Sequence, residues 1–311
     1  MAQGDVTRRR LLQGMAAAAL MTQMPSIRAR KPDAAPLARP IPSSGEMLPV
    51  VGLGSWITFN VGNDRQLLNE SAAVIDAFLQ AGGALIDSSP MYGSAQVTIG
   101  YGLAQSRLSD KAFAADKVWL RDAEDGPQQI ADSLSHWRKP RFDLLQVHNL
   151  LSWEAHLDTL QAMKQRGDLR YIGVTTSHGR RHDAMEQAMR QRPLDFMQLT
   201  YNPLDREAEQ RLLPLAAERG IAVIVNRPFQ QGDLTRRLRR ERLPDWATEM
   251  GVTSWAQLVL KFILSHPAVT CVIPATTRVD HVRENVAAAT PPFPDANQRK
   301  RIADDVRKRL A

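Results

Sequence analysis

From residue 50 onward, short apolar runs alternate with stretches of helical periodicity, and this alternation constrains the fold more than any other feature of the chain. The runs lie at 50–53, 84–87, 113–120, 142–148, 171–175, 196–201, 221–226 and 269–274, eight in all. They are continuous in apolar side chains, as in Ile221-Ala222-Val223-Ile224-Val225. Strands read that way when both faces are covered, the condition of a parallel sheet wrapped by helices. Between the runs apolar residues recur at helical spacing, for instance Ala72, Val74, Ile75, Phe78 and Leu79, then Leu157, Leu160 and Met163. Right-handed βα units repeated eight times close into a barrel, so the expected class is α/β, a (β/α)8 TIM barrel. An open doubly wound sheet would carry a glycine-rich fingerprint after an early strand. Gly52-Leu53-Gly54 lacks both the third glycine and the helix opening.

Residues 31–311 are expected to form this single barrel, ending in an extra C-terminal helix. Residues 1–30 read as a leader. Thr7-Arg8-Arg9-Arg10-Leu11-Leu12 resembles the twin-arginine consensus, and an alanine-rich apolar run follows to Met21. The run is too short and too weakly apolar to span a bilayer, so no stable membrane insertion is expected. The resemblance implies recognition by the twin-arginine (Tat) export machinery and a periplasmic or otherwise exported protein; an amphipathic helix belonging to the fold is the alternative. The single cysteine, Cys271, can form no intrachain disulfide, and export of this chain would involve no disulfide framework.

A net charge of +7, from 40 basic and 33 acidic residues, raises the question of a nucleic-acid partner. The distribution argues against one. Arg8, Arg9, Arg10, Arg28, Arg30 and Lys31 lie in or beside the leader, and the bases of 299–308 are interleaved with Asp304 and Asp305, the pattern of a solvated helix face.

In a barrel of this kind chemistry sits at the C-terminal ends of the strands, and polar residues gather there: Asp87, Lys117, His148, Gln198 and Asn226 each close or nearly close an apolar run. The order Asp87 … Tyr92-Gly93 … Lys117 … His148 resembles the aldo-keto reductase superfamily, and the similarity extends over nearly everything after residue 38. Gly82-Gly83-Ala84-Leu85-Ile86-Asp87, Gly167-Asp168-Leu169-Arg170-Tyr171-Ile172-Gly173, Gln198-Leu199-Thr200-Tyr201-Asn202-Pro203 and Ile273-Pro274-Ala275-Thr276-Thr277 agree with it. What the resemblance implies is a reductase of aldehydes or ketones in which Tyr92 is the proton donor. Free tyrosine has a pKa near 10, and a Lys117 ammonium held by Asp87 would stabilise the tyrosinate. His148 would hydrogen-bond the substrate carbonyl.

For the cofactor, NADPH with NADH as the other possibility, the resemblance implies contacts at Thr175, Thr176, Gln198, Asn226, Arg227, Thr276, Arg278, Glu284 and Asn285. Several positions depart from the family pattern, among them Ala275 where a lysine is usual and His281 at a commonly basic position. Thr175-Thr176 stands where a Ser-Asn pair is usual, and Asn226-Arg227 where a tyrosine usually stacks on the nicotinamide. Arg278 is the base expected to meet a 2′-phosphate, since a guanidinium fork suits phosphate oxygens, and the run 236–240 lies after the loop that approaches the pyrophosphate. Trp56 and Trp119 are expected to wall a pocket for a small-molecule carbonyl substrate, with Trp153 on a neighbouring rim loop. Two other readings stand beside the enzyme. A nicotinamide-binding sensor or adaptor would keep the fold with little turnover. A cofactor-free isomerase or metal hydrolase would need ligand clusters, yet the sequence has no His-x-His pair and no His-Glu-x-x-His motif.

Overall fold

The computed structural model describes residues 36–310; the leader proposed at 1–30 lies outside them. Two short strands come first, β1 (Ala38–Pro40) and β2 (Met47–Pro49), paired antiparallel as a hairpin. Eight parallel strands follow in sequence order around one sheet: β3 (Leu53–Gly54), β4 (Leu85–Asp87), β5 (Phe113–Val118), β6 (Phe142–Val147), β7 (Leu169–Thr175), β8 (Phe196–Thr200), β9 (Ala222–Asn226) and β10 (Cys271–Val272). The principal helices between and after them are α1 (Arg65–Gln80), α2 (Ala95–Gln105), α3 (Gly126–Trp137), α4 (Trp153–Arg166), α5 (His182–Gln191), α6 (Leu212–Arg219), α7 (Asp233–Leu238), α8 (Trp255–Leu264), α9 (Val279–Ala287) and α10 (Ala296–Leu310). The eight apolar runs and the terminal helix of the sequence are all present.

Close backbone approaches at and beside the seam between the first and last barrel strands explain Gly52 and Gly54. Parallel bridges join Val51 to Val272 and Gly54 to Ala275, and Gly52 N donates to Val272 O at 2.8 Å. A Cβ on Gly52 would stand 2.9 Å from Leu85 O, and one on Gly54 2.9 Å from Ile273 O. Gly54 therefore lets the backbone that follows β10 approach where the barrel closes, and Gly52 does the same for the β4 backbone on the other side. No dinucleotide turn is involved.

Two apolar layers hold the barrel. Leu85, Phe113, Leu144, Phe196, Ile224 and Ile273 fill its interior, and Ile41 and Leu48 of the hairpin segment plug its N-terminal end. The outward faces of the strands pack against the helices, whose start points are fixed locally: Asp64 accepts from Gln66 N and Leu67 N to begin α1, and Ser254 from Gln257 N to begin α8. Trp153, expected on the rim, is instead buried in this outer layer as the first residue of α4.

Candidate active site

A cleft of about 1010 Å³ opens over the C-terminal ends of the strands. At its floor Lys117, near the end of β5, is fully enclosed. Its ammonium donates to Asp87 Oδ2 and to Ser88 O, each at 2.6 Å. Burial opposes the cation, but the charges of Asp87 and Tyr92 and the bond to Asp87 outweigh it, so the lysine pKa ends above its ordinary value. Three donors sit on an ammonium; two are spent, leaving the third for Tyr92, whose ring centre lies 5.2 Å from Nζ. Burial pushes the Tyr92 hydroxyl pKa up, while the charge and hydrogen bond of Lys117 pull it back.

The other carboxylate oxygen of Asp87 is held as well. Gln198 Nε2 donates to Oδ1 at 2.9 Å and Gln146 Nε2 lies at 3.4 Å. From Gln198 the web continues outward, since Asn226 Nδ2 reaches Gln198 Oε1 and Thr176 O, and Thr200 donates to Asn226 Oδ1 at 2.7 Å. Asp87, on β4, is thus immobilised from three other strands, β5, β6 and β8. Its partner is oriented with it.

His148 directly follows β6 and packs edge-on against Tyr92, ring centres 5.7 Å apart. Burial, seconded by the Lys117 charge, drives its pKa down to about 2, so the ring is neutral at ordinary pH. The chain then leaves the barrel through Asn149, Leu150 and Ser152, all with positive φ, a backbone conformation that non-glycine residues adopt at a cost and only when their surroundings impose it. Asn149 N donating to Thr175 Oγ1 at 3.0 Å and Arg181 donating to Asn149 O at 2.8 Å supply that restraint.

The expected cofactor residues divide in two. Thr175, Thr176, Gln198, Asn226, Arg227, Thr276, Glu284 and Asn285 all line the cleft. Arg278 does not: its guanidinium is bound to Asp280 on the exposed start of α9, with Nε donating at 2.9 Å. Three other arginines on the cleft wall, Arg180, Arg227 and Arg239, have no carboxylate partner among the described residues. Burial disfavours the Arg227 cation; Asp205 supports it and Arg180 opposes it. Of the expected pocket tryptophans, Trp56 lines the cleft, while Trp119 lies just beyond that lining with its ring 6.4 Å from that of His148. Ile57 and Met91 join them as exposed apolar side chains.

Residues that the sequence reading passed over also matter. Asp116, buried beside Lys117, points the opposite way along the strand and accepts from Gln96 Nε2 at 2.7 Å and Trp137 Nε1 at 2.6 Å, tying β5 to α2 and α3. Burial raises its carboxyl to about 7 despite Lys117 and these donors. A charged residue inside the run 113–120 was the available signal. Ser89 bonds His148, and only its hydroxyl two positions past a strand end hinted at that. Among the described residues no cluster of His, Cys, Asp or Glu is arranged to hold a metal ion, and no helix is long and apolar enough to cross a membrane.

Comparison with known proteins finds relatives of this chain. The model of the Aldo/keto reductase family matches residues 50–302. Methylglyoxal reductase YeaE of Escherichia coli is 28% identical over 254 residues, 78% of this chain and 87% of that protein. An NADH-specific methylglyoxal reductase of the same organism is 26% identical, covering 83% of this chain and 95% of its own length. In structure, an aldo/keto reductase from Klebsiella pneumoniae, solved in complex with NADP and acetate, superposes with a TM-score of 0.73 at 21% identity over 84% of this chain and 93% of that one.

Proposed function

The chain belongs to the aldo/keto reductase family, and on that premise we propose that it reduces aldehydes or ketones to alcohols, with NADPH as the hydride source and Tyr92 as the proton donor. One observation carries the reading: the buried Lys117 ammonium, fixed by Asp87 and Ser88 O, keeps its remaining proton for the one phenol beside it.

A carbonyl under reduction gains negative charge on oxygen and must be protonated. Tyr92 gives its proton to that oxygen, and Lys117 stabilises the tyrosinate left behind. Asp87, held by Gln198, keeps the lysine charged and aimed. His148, uncharged, donates a hydrogen bond to the same oxygen without competing with Tyr92 as its proton donor. When bound, a reduced nicotinamide supplies that hydride to the carbonyl carbon. The cleft fits such a cofactor in size, at the upper end of the 300–1,000 Å³ or so usual for ligand sites, and in charge, since a phosphate-bearing dinucleotide would meet Arg180, Arg227 and Arg239. Thr175, Thr176, Asn226, Thr276, Glu284 and Asn285 would line its path. Arg227 would meet the pyrophosphate that both cofactors share, while Arg180 and Arg239 favour NADPH, which carries an additional phosphate, over NADH. Trp56, Ile57, Met91 and Trp119 supply apolar surface at the mouth, suited to an aryl or other apolar carbonyl.

Titration of the purified protein with NADPH and with NADH, followed by fluorescence, and then addition of a panel of aldehydes tests this directly. The expected result is binding followed by oxidation of the cofactor. Binding with no turnover across the panel would favour the sensor or adaptor. We also propose that residues 1–30 direct export by the twin-arginine route. Arg8→Lys with Arg9→Lys should then leave an active protein retained in the cytoplasm, and unimpaired export would contradict it.

A further inference from the structure

His148 carries no charge, so the proton on its ring can sit on either nitrogen, and the hydrogen bond made by the other nitrogen decides which. Nδ1 lies 2.8 Å from Ser89 Oγ, and both residues are buried. A serine hydroxyl holds one proton and two lone pairs. One lone pair of Ser89 faces Met91 N at 3.4 Å, and the hydroxyl has no acceptor other than His148 among the described residues. Were Nδ1 the donor, the buried Ser89 proton would have nowhere to go. If Ser89 donates, its buried proton has an acceptor, as buried polar groups require, and the ring proton is left on Nε2.

We propose that Ser89 is a positioning residue: its hydroxyl donates to His148 Nδ1 and so fixes the ring proton on Nε2, the nitrogen left for the cleft. His148 lines that cleft and Nε2 has no protein partner among the described residues. The Nε2 proton then points at the substrate oxygen, whereas the other tautomer would set a lone pair against it. The hydrogen bond strengthens as charge develops on that oxygen, so Ser89 acts on the transition state through His148 and leaves cofactor binding alone. This inference rests on the reading of the site as carbonyl-reducing.

The test separates the two. In the full-length protein, long-range proton–nitrogen NMR of the histidines, with His148 identified by loss of its signals in His148→Gln, reads the tautomer whether or not any substrate turns over. The expected result is a proton on Nε2 and a hydrogen-bonded Nδ1 whose resonance moves in Ser89→Ala and returns in Ser89→Thr. Alongside it, kcat/KM for an aldehyde falls roughly three- to tenfold in Ser89→Ala, the worth of about one neutral hydrogen bond, with cofactor affinity unchanged and the loss recovered in Ser89→Thr. A proton on Nδ1 in the wild-type protein, or a Ser89→Ala variant with unaltered resonances or unaltered kcat/KM, overturns the proposal. Absence of turnover in the wild type, with the Nε2 tautomer in place, would instead defeat the enzymatic reading.

Discussion

The two ends of the barrel are made from the same kinds of side chain and reach opposite conditions. At the N-terminal end Arg170 sits between Asp143, 2.7 Å away, and Glu46, while the Tyr171 hydroxyl is held by Glu46 at 2.6 Å and Ser44 at 2.7 Å. Cation, carboxylate and phenol all find partners within the protein, and the β1–β2 hairpin segment covers them. At the C-terminal end Lys117, Asp87 and Tyr92 are again a cation, a carboxylate and a phenol. There the lysine keeps a donor in reserve, and the phenol and His148 face a cleft. A cluster whose hydrogen bonds are all spent internally holds shape. One with donors left over and aimed into a cavity can act on a substrate.

The largest effect is expected where that reserve is removed. Tyr92→Phe should lower kcat at least about a hundredfold, the low end for general acid catalysis, with cofactor affinity and melting temperature close to wild type. Wild-type turnover would erase the contrast between the ends. Next comes the same distinction within the upper end, between unpaired and paired arginines. Arg227→Ala should weaken NADPH and NADH alike by about tenfold, the low end for a hydrogen bond to a charged group. Arg278→Ala should change the ratio of the two affinities by less than about threefold, because its guanidinium is already bound to Asp280. A selective loss of NADPH on that substitution would mean that Arg278 leaves Asp280 for the 2′-phosphate.

Smaller still is the effect at the opposite end. Arg170→Ala should cost about 1 kcal/mol of stability in chemical denaturation, a modest figure because the pair network is about one third exposed, and should leave kcat/KM unchanged. A matching loss of turnover would show that the ends are coupled. The least change is expected in a pH profile. His148→Gln should reduce kcat/KM but leave the shape of its pH dependence intact, since a ring with its pKa near 2 stays neutral on both sides of pH 7. A lost or shifted break near neutrality would mean that His148 titrates in the working range.

The contrast between the ends also marks what was legible in the sequence. Parallel strands buried on both faces leave continuous apolar runs, and a residue that must reach a rim stands at the end of one. Asp87, Lys117, His148, Gln198 and Asn226 could therefore be placed before any coordinates. Bonds between residues far apart in the chain leave no such trace. The attachment of Gln198 to Asp87, the arrest of Arg278 by Asp280 and the hydroxyl of Ser89 behind His148 depend on side-chain direction, which periodicity does not report. Gly54 shows the reverse case, a local residue whose cause is the barrel seam, formed with β10 and the residues just after it at the far end of the chain.

The most direct test of the central claim follows the hydride itself. The full-length protein is incubated with an aromatic aldehyde and NADPH deuterated at the transferring position of the nicotinamide, and the product is examined by mass spectrometry. Carbonyl reduction at the C-terminal end predicts alcohol carrying one deuterium on the former carbonyl carbon, formed in equal amount to the cofactor oxidised, and nearly none with Tyr92→Phe. Cofactor bound but no labelled alcohol, or labelled alcohol made equally well without the Tyr92 hydroxyl, would contradict it.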